Sequence, residues 1–147
     1  MLLVKHIMVP YRPQKVFFRA FQNALNIARQ NDAKITLVKV IHYPAGMGLD
    51  IMTSVDMVSR EYDLLKFEQL SAELQKEAII ANVILDFHII DMHLSSAKAF
   101  VEFASQNDVD LMVMGSIMDR TWTKHFTSDI SQEIMDLNPP CSVILVE

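Results

Sequence analysis

The sequence predicts a single α/β domain in which a parallel β-sheet is covered on both faces by helices. Two observations carry that expectation. Five short apolar runs, several of them rich in β-branched residues, alternate with four segments whose apolar residues recur at helical spacing. The chain has 147 residues, 51% of them hydrophobic, which is enough for one well-packed core, and no repeat or low-complexity linker divides it.

The elements follow in order. Leu3 to Val9 is apolar and β-branched at Val4, Ile7 and Val9, and Pro10 and Pro13 stop it, so it reads as a buried strand. From Val16 to Arg29 the residues Phe17, Ala20, Phe21, Ala24, Ile27 and Ala28 define one helical face, broken at Asn31-Asp32. Ile35 to Ile41 is a second strand, and a loop with Pro44, Gly46 and Gly48 follows it. A long helix is expected from about Ser54 to Ala81, with Val55, Val58, Tyr62, Leu65, Leu70, Leu74, Ala78 and Ala81 inward. Val83 to Ile90 reads as the third strand. Ser95 or Ser96 can cap the next helix, whose face is Ala97, Phe100, Val101 and Ala104 and which ends near Gln106-Asn107. Leu111 to Met114 is the fourth strand. A last helix begins near Ser128 or Asp129, with Asp129 and Gln132 spaced as a capping box and Ile130, Ile134 and Leu137 inward. Asn138-Pro139-Pro140 stops it, and Val143 to Val146 is the fifth strand.

Charge and cysteine usage narrow the function classes. A net charge of −5 argues against a nucleic-acid or anionic-membrane partner, because either favours a basic face. The one cysteine, Cys141, has no internal disulfide partner, as suits a reducing compartment. Residues Met1 to His6 do not read as a signal peptide, and no apolar run approaches the roughly 20 residues that span a bilayer. A cytoplasmic protein is the expectation.

Gly115 is the most informative position. It closes the run Leu111-Met112-Val113-Met114 and opens a polar segment, Ser116 to Asp129, without another glycine. A buried strand running into Gly-Ser begins many phosphate-binding loops, but such a loop needs several glycines for its amides to close around a phosphate. Here the strand and the first glycine are present and the others are absent.

The chain resembles the universal stress protein family over nearly its whole length. The stretches that carry the resemblance are Lys5 to Pro10, Ala33 to Val40, Asp108 to Ser116 and Pro140 to Val146, the third being the most specific. The resemblance implies a three-layer fold like that of adenine-nucleotide α-hydrolases, with strand order 3-2-1-4-5. It also implies a ligand crevice where strands 1 and 4 diverge. Nucleotide-binding members of the family carry an aspartate just after strand 1 and a G-x2-G-x9-G-[ST] signature after strand 4. In this chain the aspartate position is Arg12, and the signature falls on Gly115, Met118, Ser128 and Asp129. Pro10, Tyr11, Val40, Met114 and Ser116 match the scaffold that frames a nucleotide.

The substitutions point one way. Arginine cannot accept a hydrogen bond, Met118 puts a side chain where backbone must approach, and a carboxylate at Asp129 occupies the helix amides and repels polyphosphate. ATP held by the usual motif is therefore not expected, and no cofactor is assigned. The alternative is ATP or another adenine nucleotide held by a rebuilt basic loop, with Arg12, Arg120, Lys124 and His125 as anion contacts. The simpler reading of that loop is solvated charge, diluted by Asp119 and Asp129. Trp122 is expected to pack against the loop itself.

Other candidate sites reduce to ordinary roles. Asp86, His88, Asp91 and His93 suggest a metal, but Asp86 and His88 alone share a strand face, and two ligands are too few. Cys141 is expected to be a buried, unreactive thiol. The ten methionines are expected to fill the core, and Phe17-Phe18 to form a packing face. Neither a HIGH-type nor an SGG-type motif is present, nor a clear nucleophile–base pair, so a nucleotide hydrolase or transferase is the less favoured reading. The family order places Ser142, Val143, Ile144, Leu145 and Val146 at the sheet edge. The expectation is a homodimer through that strand, acting as a regulatory stress-response module with a protein partner.

Overall fold

The computed structural model describes residues 3–12, 15–42, 54–92, 95–116 and 130–147. The elements alternate as β1 (His6–Pro10), α1 (Lys15–Asn31), β2 (Lys34–His42), α2 (Ser54–Ile80), β3 (Leu85–Met92), α3 (Ser96–Gln106), β4 (Leu111–Gly115), α4 (Ile130–Asp136) and β5 (Ser142–Val146). The strands form one five-stranded sheet in the order β3-β2-β1-β4-β5, with every pairing parallel.

Apolar residues on alternate strand positions divide into two clusters. Ile7, Val9, Ile35, Leu37, Leu111 and Val113 pack with Phe17 and Phe21 of α1 and Phe67 and Leu74 of α2. Met8, Val38, Met112 and Met114 pack with Phe100 and Phe103 of α3 and Ile134 of α4. Two helices on each face, consecutive on each, follow from strands added outward from β1 by crossovers of one hand. Three methionines on the α3/α4 face fill the core with side chains whose three rotatable bonds adapt to irregular gaps.

The helix stops explain how the chain manages with three glycines. Each helix is followed by a non-glycine residue in the left-handed region: Asp32, Asn82, Asp108 and Asn138, with φ between 51° and 59°. Asn and Asp tolerate that conformation better than other side-chain-bearing residues. After the first three helices the next amide reaches back five residues, Ala33 to Ala28, Val83 to Ala78 and Val109 to Ala104, capping free carbonyls. After α4 that position is Pro139, which has no amide to give. At the other end, the Ser95 hydroxyl accepts the Lys98 amide at 3.2 Å and caps α3.

The structure corrects several sequence expectations. β1 begins at His6, not Leu3, and β3 runs from Leu85 to Met92, two residues later than expected. In α2 the residues Val58, Tyr62 and Leu65 face solvent, and the buried positions are Phe67, Leu74 and Ala78. Helical apolar spacing in the N-terminal half of that helix thus does not translate into burial among the described residues. Leu137 is likewise exposed, while Ile130 and Ile134 are buried.

A polar knot fixes the entry of β1 beside β4. The Asp110 carboxylate accepts the amides of Lys5 and His6 at 2.8 and 2.9 Å, and the Asp110 amide donates to the His6 carbonyl at 2.9 Å. The buried His6 ring spans the Asn107 carbonyl (Nδ1, 3.0 Å) and the Thr36 hydroxyl (Nε2, 2.7 Å). A carbonyl can only accept, so Nδ1 carries the hydrogen and Nε2 accepts from Thr36. Burial pushes His6 below its usual pKa of 6.5, reinforced by Lys34 and opposed by the Asn107 carbonyl, Asp110 and Asp86. The unfolded chain therefore takes up its proton first as pH falls. The contribution of His6 is complete above pH 6.5 and is lost on descending through its folded pKa. Urea unfolding of the native protein and of His6→Gln is expected to show this: their difference in stability holds at pH 7.5 and shrinks toward pH 5. A difference independent of pH over that range refutes the assignment.

Candidate functional site

Strand order reverses between β1 and β4, and a crevice at their carboxyl ends is the place where such sheets bind ligands. β1 ends at the buried Pro10, and the next amide, of Tyr11, donates to the Val38 carbonyl at 2.8 Å. On β2, Val40 is half-buried against the α3/α4 cluster. On β4, Met114 is buried and Gly115 pairs with Val146 of β5. Ser116 is buried, and its amide donates to the Val146 carbonyl at 2.8 Å. Pro10, Tyr11, Val40, Met114, Gly115 and Ser116 thus gather around the carboxyl ends of the central strands. Met118, Arg120, Trp122, Lys124, His125, Ser128 and Asp129 lie outside the described residues, as do the loop over 43–53 and His93.

The geometry gives Gly115 a reason unconnected with phosphate. A Cβ there would lie 2.4 Å from Cγ1 and 3.1 Å from Cγ2 of Val16, and 3.2 Å from its carbonyl carbon. The first turn of α1 passes directly over the end of β4, and a side chain at position 115 would require Val16 to shift. Helix-to-strand packing therefore favours glycine here.

With Lys15, Arg12 lines a cleft of about 450 Å³ between the start of α1 and the middle of α2, where Lys66, Gln69 and Glu73 complete the polar lining. Beneath the cleft the Tyr11 ring packs edge-on to Phe17 at 5.0 Å and against Phe67 at 5.1 Å. Half-buried Lys39 places its ammonium 4.9 Å from the Tyr11 centroid and 5.8 Å from that of Phe67, a cation–π contact on both rings. Burial pushes the Lys39 pKa down, and Asp63 opposes that fall. Burial and Asp63 push the Tyr11 hydroxyl up, while Lys66 draws it down. Sequence reasoning missed Lys39, Lys15 and Lys66. Only for Lys39 was there a signal, a single charge inside the apolar run Ile35 to Ile41.

The remaining candidates stay apart. Asp91 accepts two hydrogen bonds from the Arg60 guanidinium at 2.6 and 2.7 Å, and His88 lies against Phe103 at 4.9 Å between centroids. No group of three His, Cys, Asp or Glu side chains able to hold a metal occurs among the described residues. Burial and Asp110 push the half-buried Cys141 thiol up, away from the reactive thiolate, against a smaller opposite effect of the Met112 backbone. Among the described residues no helix is long and apolar enough to cross a membrane.

Comparison with known proteins agrees with this architecture. The model of the universal stress protein family matches residues 4–147. A universal stress protein of Methanocaldococcus jannaschii is 26% identical over 145 residues, covering 99% of this chain and 83% of the relative. Among solved structures, the universal stress protein UspA from Lactobacillus plantarum superposes with a TM-score of 0.72 at 21% identity, covering 97% of both chains. The universal stress protein from Archaeoglobus fulgidus in complex with dAMP superposes at 0.64 with 15% identity over 100% of both chains.

Proposed function

The chain belongs to the universal stress protein family, and we propose that it serves as a dimeric, non-catalytic regulatory module whose switch-point crevice does not hold ATP by the family signature. The observation that carries this reading is the contact of Gly115 with Val16. Gly115 is the one signature glycine the chain retains, and its packing against Val16 supplies a reason for it that needs no phosphate. The residues present do not fit a phosphate cradle: the other three signature positions are Met118, Ser128 and Asp129, and the aspartate position is Arg12. Three of these four side chains add bulk or like charge where a polyphosphate needs bare amides.

A second reading keeps an adenine nucleotide without the signature. It draws on the Archaeoglobus fulgidus relative, which is in complex with dAMP, and on Pro10, Val40, Met114 and Ser116 around the same strand ends. Calorimetric titration with ATP, ADP, AMP and cyclic AMP separates the two. No saturable heat at ligand concentrations up to a millimolar is expected. Micromolar binding of ATP overturns the first reading, and binding of a monophosphate alone supports the second.

The dimer is proposed to form through β5. Both edges of the sheet expose apolar side chains: Ile144 (38%) and Leu145 (43%) on β5, Phe87 (36%) and Ile89 (44%) on β3. The β3 edge carries Asp86, His88 and Asp91, and charge on an edge strand discourages pairing with another chain. Ser142–Val146 has no ionisable residue. Exposed Met135 and Leu137 at the end of α4 add apolar surface on the same side of the sheet order.

A further inference from the structure

We propose that the cleft between the start of α1 and the middle of α2 is a ligand site of its own, for a small anion carrying a flat apolar body, such as an aryl carboxylate or an aryl phosphate. The cleft holds about 450 Å³, within the usual range for small-molecule sites. Its charge runs against that of the whole molecule. Arg12, Lys15 and Lys66 line it and Glu73 alone opposes them, in a chain whose net charge is −5. Asp63 also acts on Tyr11, Lys39 and Lys66 from α2, yet the basic side chains still outnumber the acidic ones around the opening. No ion pair of Arg12, Lys15 or Lys66 occurs among the described residues; the Lys66 ammonium sits 4.8 Å from the centroid of the Tyr62 ring. Arg12 can grip a carboxylate or phosphate with two parallel hydrogen bonds, and the ammoniums of Lys15 and Lys66 add positive charge around it.

The aromatic wall selects what the anion is attached to. Phe18 is half exposed at the mouth, its ring edge-on to Phe17 at 5.5 Å, and Phe17 continues the row to Tyr11 at 5.0 Å. A planar group entering the cleft extends that row in the geometry aromatic rings prefer. Among the described residues none of β4 lines the cleft, whose walls come from the end of β1, α1 and α2, and the proposal does not rest on the reading of the switch-point crevice.

Amide chemical-shift titration of the full chain tests the proposal, with phenyl phosphate, benzoate, inorganic phosphate and benzyl alcohol as probes. At least one of the two aryl anions is expected to bind saturably, roughly at millimolar affinity or tighter. Its shifts should cluster at Lys15, Phe18, Lys66 and Leu70. Which aryl anion is tighter identifies the preferred head group. Inorganic phosphate and benzyl alcohol, each with half of the recognition, are expected to bind about tenfold more weakly. The surface variants Lys15→Gln and Lys66→Gln together are expected to weaken the aryl anion by about tenfold while leaving the remaining spectrum in place. Failure of both aryl anions to saturate overturns the proposal. So do equal affinity for benzyl alcohol or inorganic phosphate, unchanged binding in the double variant, and shifts centred on Gly115 and Ser116.

Discussion

Replacing Gly115 with alanine is expected to destabilise the fold by about 1–3 kcal/mol, the usual cost of forcing extra volume into a packed interior. The new Cβ would meet Val16 Cγ1 at 2.4 Å, closer than two carbons approach, and the Val16 carbonyl carbon at 3.2 Å. Valine is a poor cushion, since a β-branched side chain in a helix has essentially one rotamer. Relief must therefore come from moving the first turn of α1, whose Phe17 is buried in the core one residue on. Val16→Ala removes both methyl groups and leaves only the backbone contact. The double variant Gly115→Ala with Val16→Ala should then lose less stability than the sum of the two single changes, by about 1 kcal/mol or more. Urea unfolding of the four proteins measures this coupling. Additive losses would mean that Val16 is not what Gly115 makes room for, and would reopen a role in ligand binding. Nucleotide titrations of the same variants should be indistinguishable.

The second large effect is expected at the β5 edge. Ile144→Lys or Leu145→Lys places an ammonium on the exposed surface of the strand proposed to pair with its copy, and a buried unpaired charge there costs several kcal/mol. A two-fold interface contains the change twice. Sedimentation equilibrium is expected to show the native protein as a dimer and either variant as a monomer at the same concentration. Because both side chains are already partly exposed in the single chain, the monomer should stay folded, with its urea midpoint lowered only by the loss of association and no longer dependent on protein concentration. The control is Ile89→Lys on the opposite edge, which should leave the dimer intact. A dimer that survives at β5 and dissociates in the Ile89→Lys variant would move the interface to β3, and a native monomer would remove the dimer from the proposal altogether.

The sequence was most readable where local rules and burial agree. β1 and β4 are nearly uniform apolar runs, and β2 is apolar from Ile35 to Ile41 apart from Thr36 and Lys39, because both of their faces are covered, and α1 shows a clean apolar face because one side of it meets the sheet. The stops at Asn31-Asp32, Gln106-Asn107 and Asn138-Pro139 were visible for the same local reason: Asx residues and proline act within one turn of the chain. α2 was readable only in part. Val58, Tyr62 and Leu65 keep helical apolar spacing and yet face solvent, since spacing reports which side chains could share a face and not whether anything lies opposite. Among the residues of the metal suggestion, Asp91 is paired with Arg60 from 31 positions away, a partner no local pattern signals, and His93 lies outside the described residues.

By itself the sequence determined the fold class, the element order and the departures from a nucleotide signature at Arg12, Met118, Ser128 and Asp129. These are matters of residue type, periodicity and spacing along the chain. Tertiary structure alone showed that Gly115 lies against Val16 and that Arg12 lines a cleft. The first depends on Val16 arriving from α1, and the second on a cleft assembled from α1 and α2. Both are contacts between residues distant in sequence, and no local pattern encodes a distance that only packing creates.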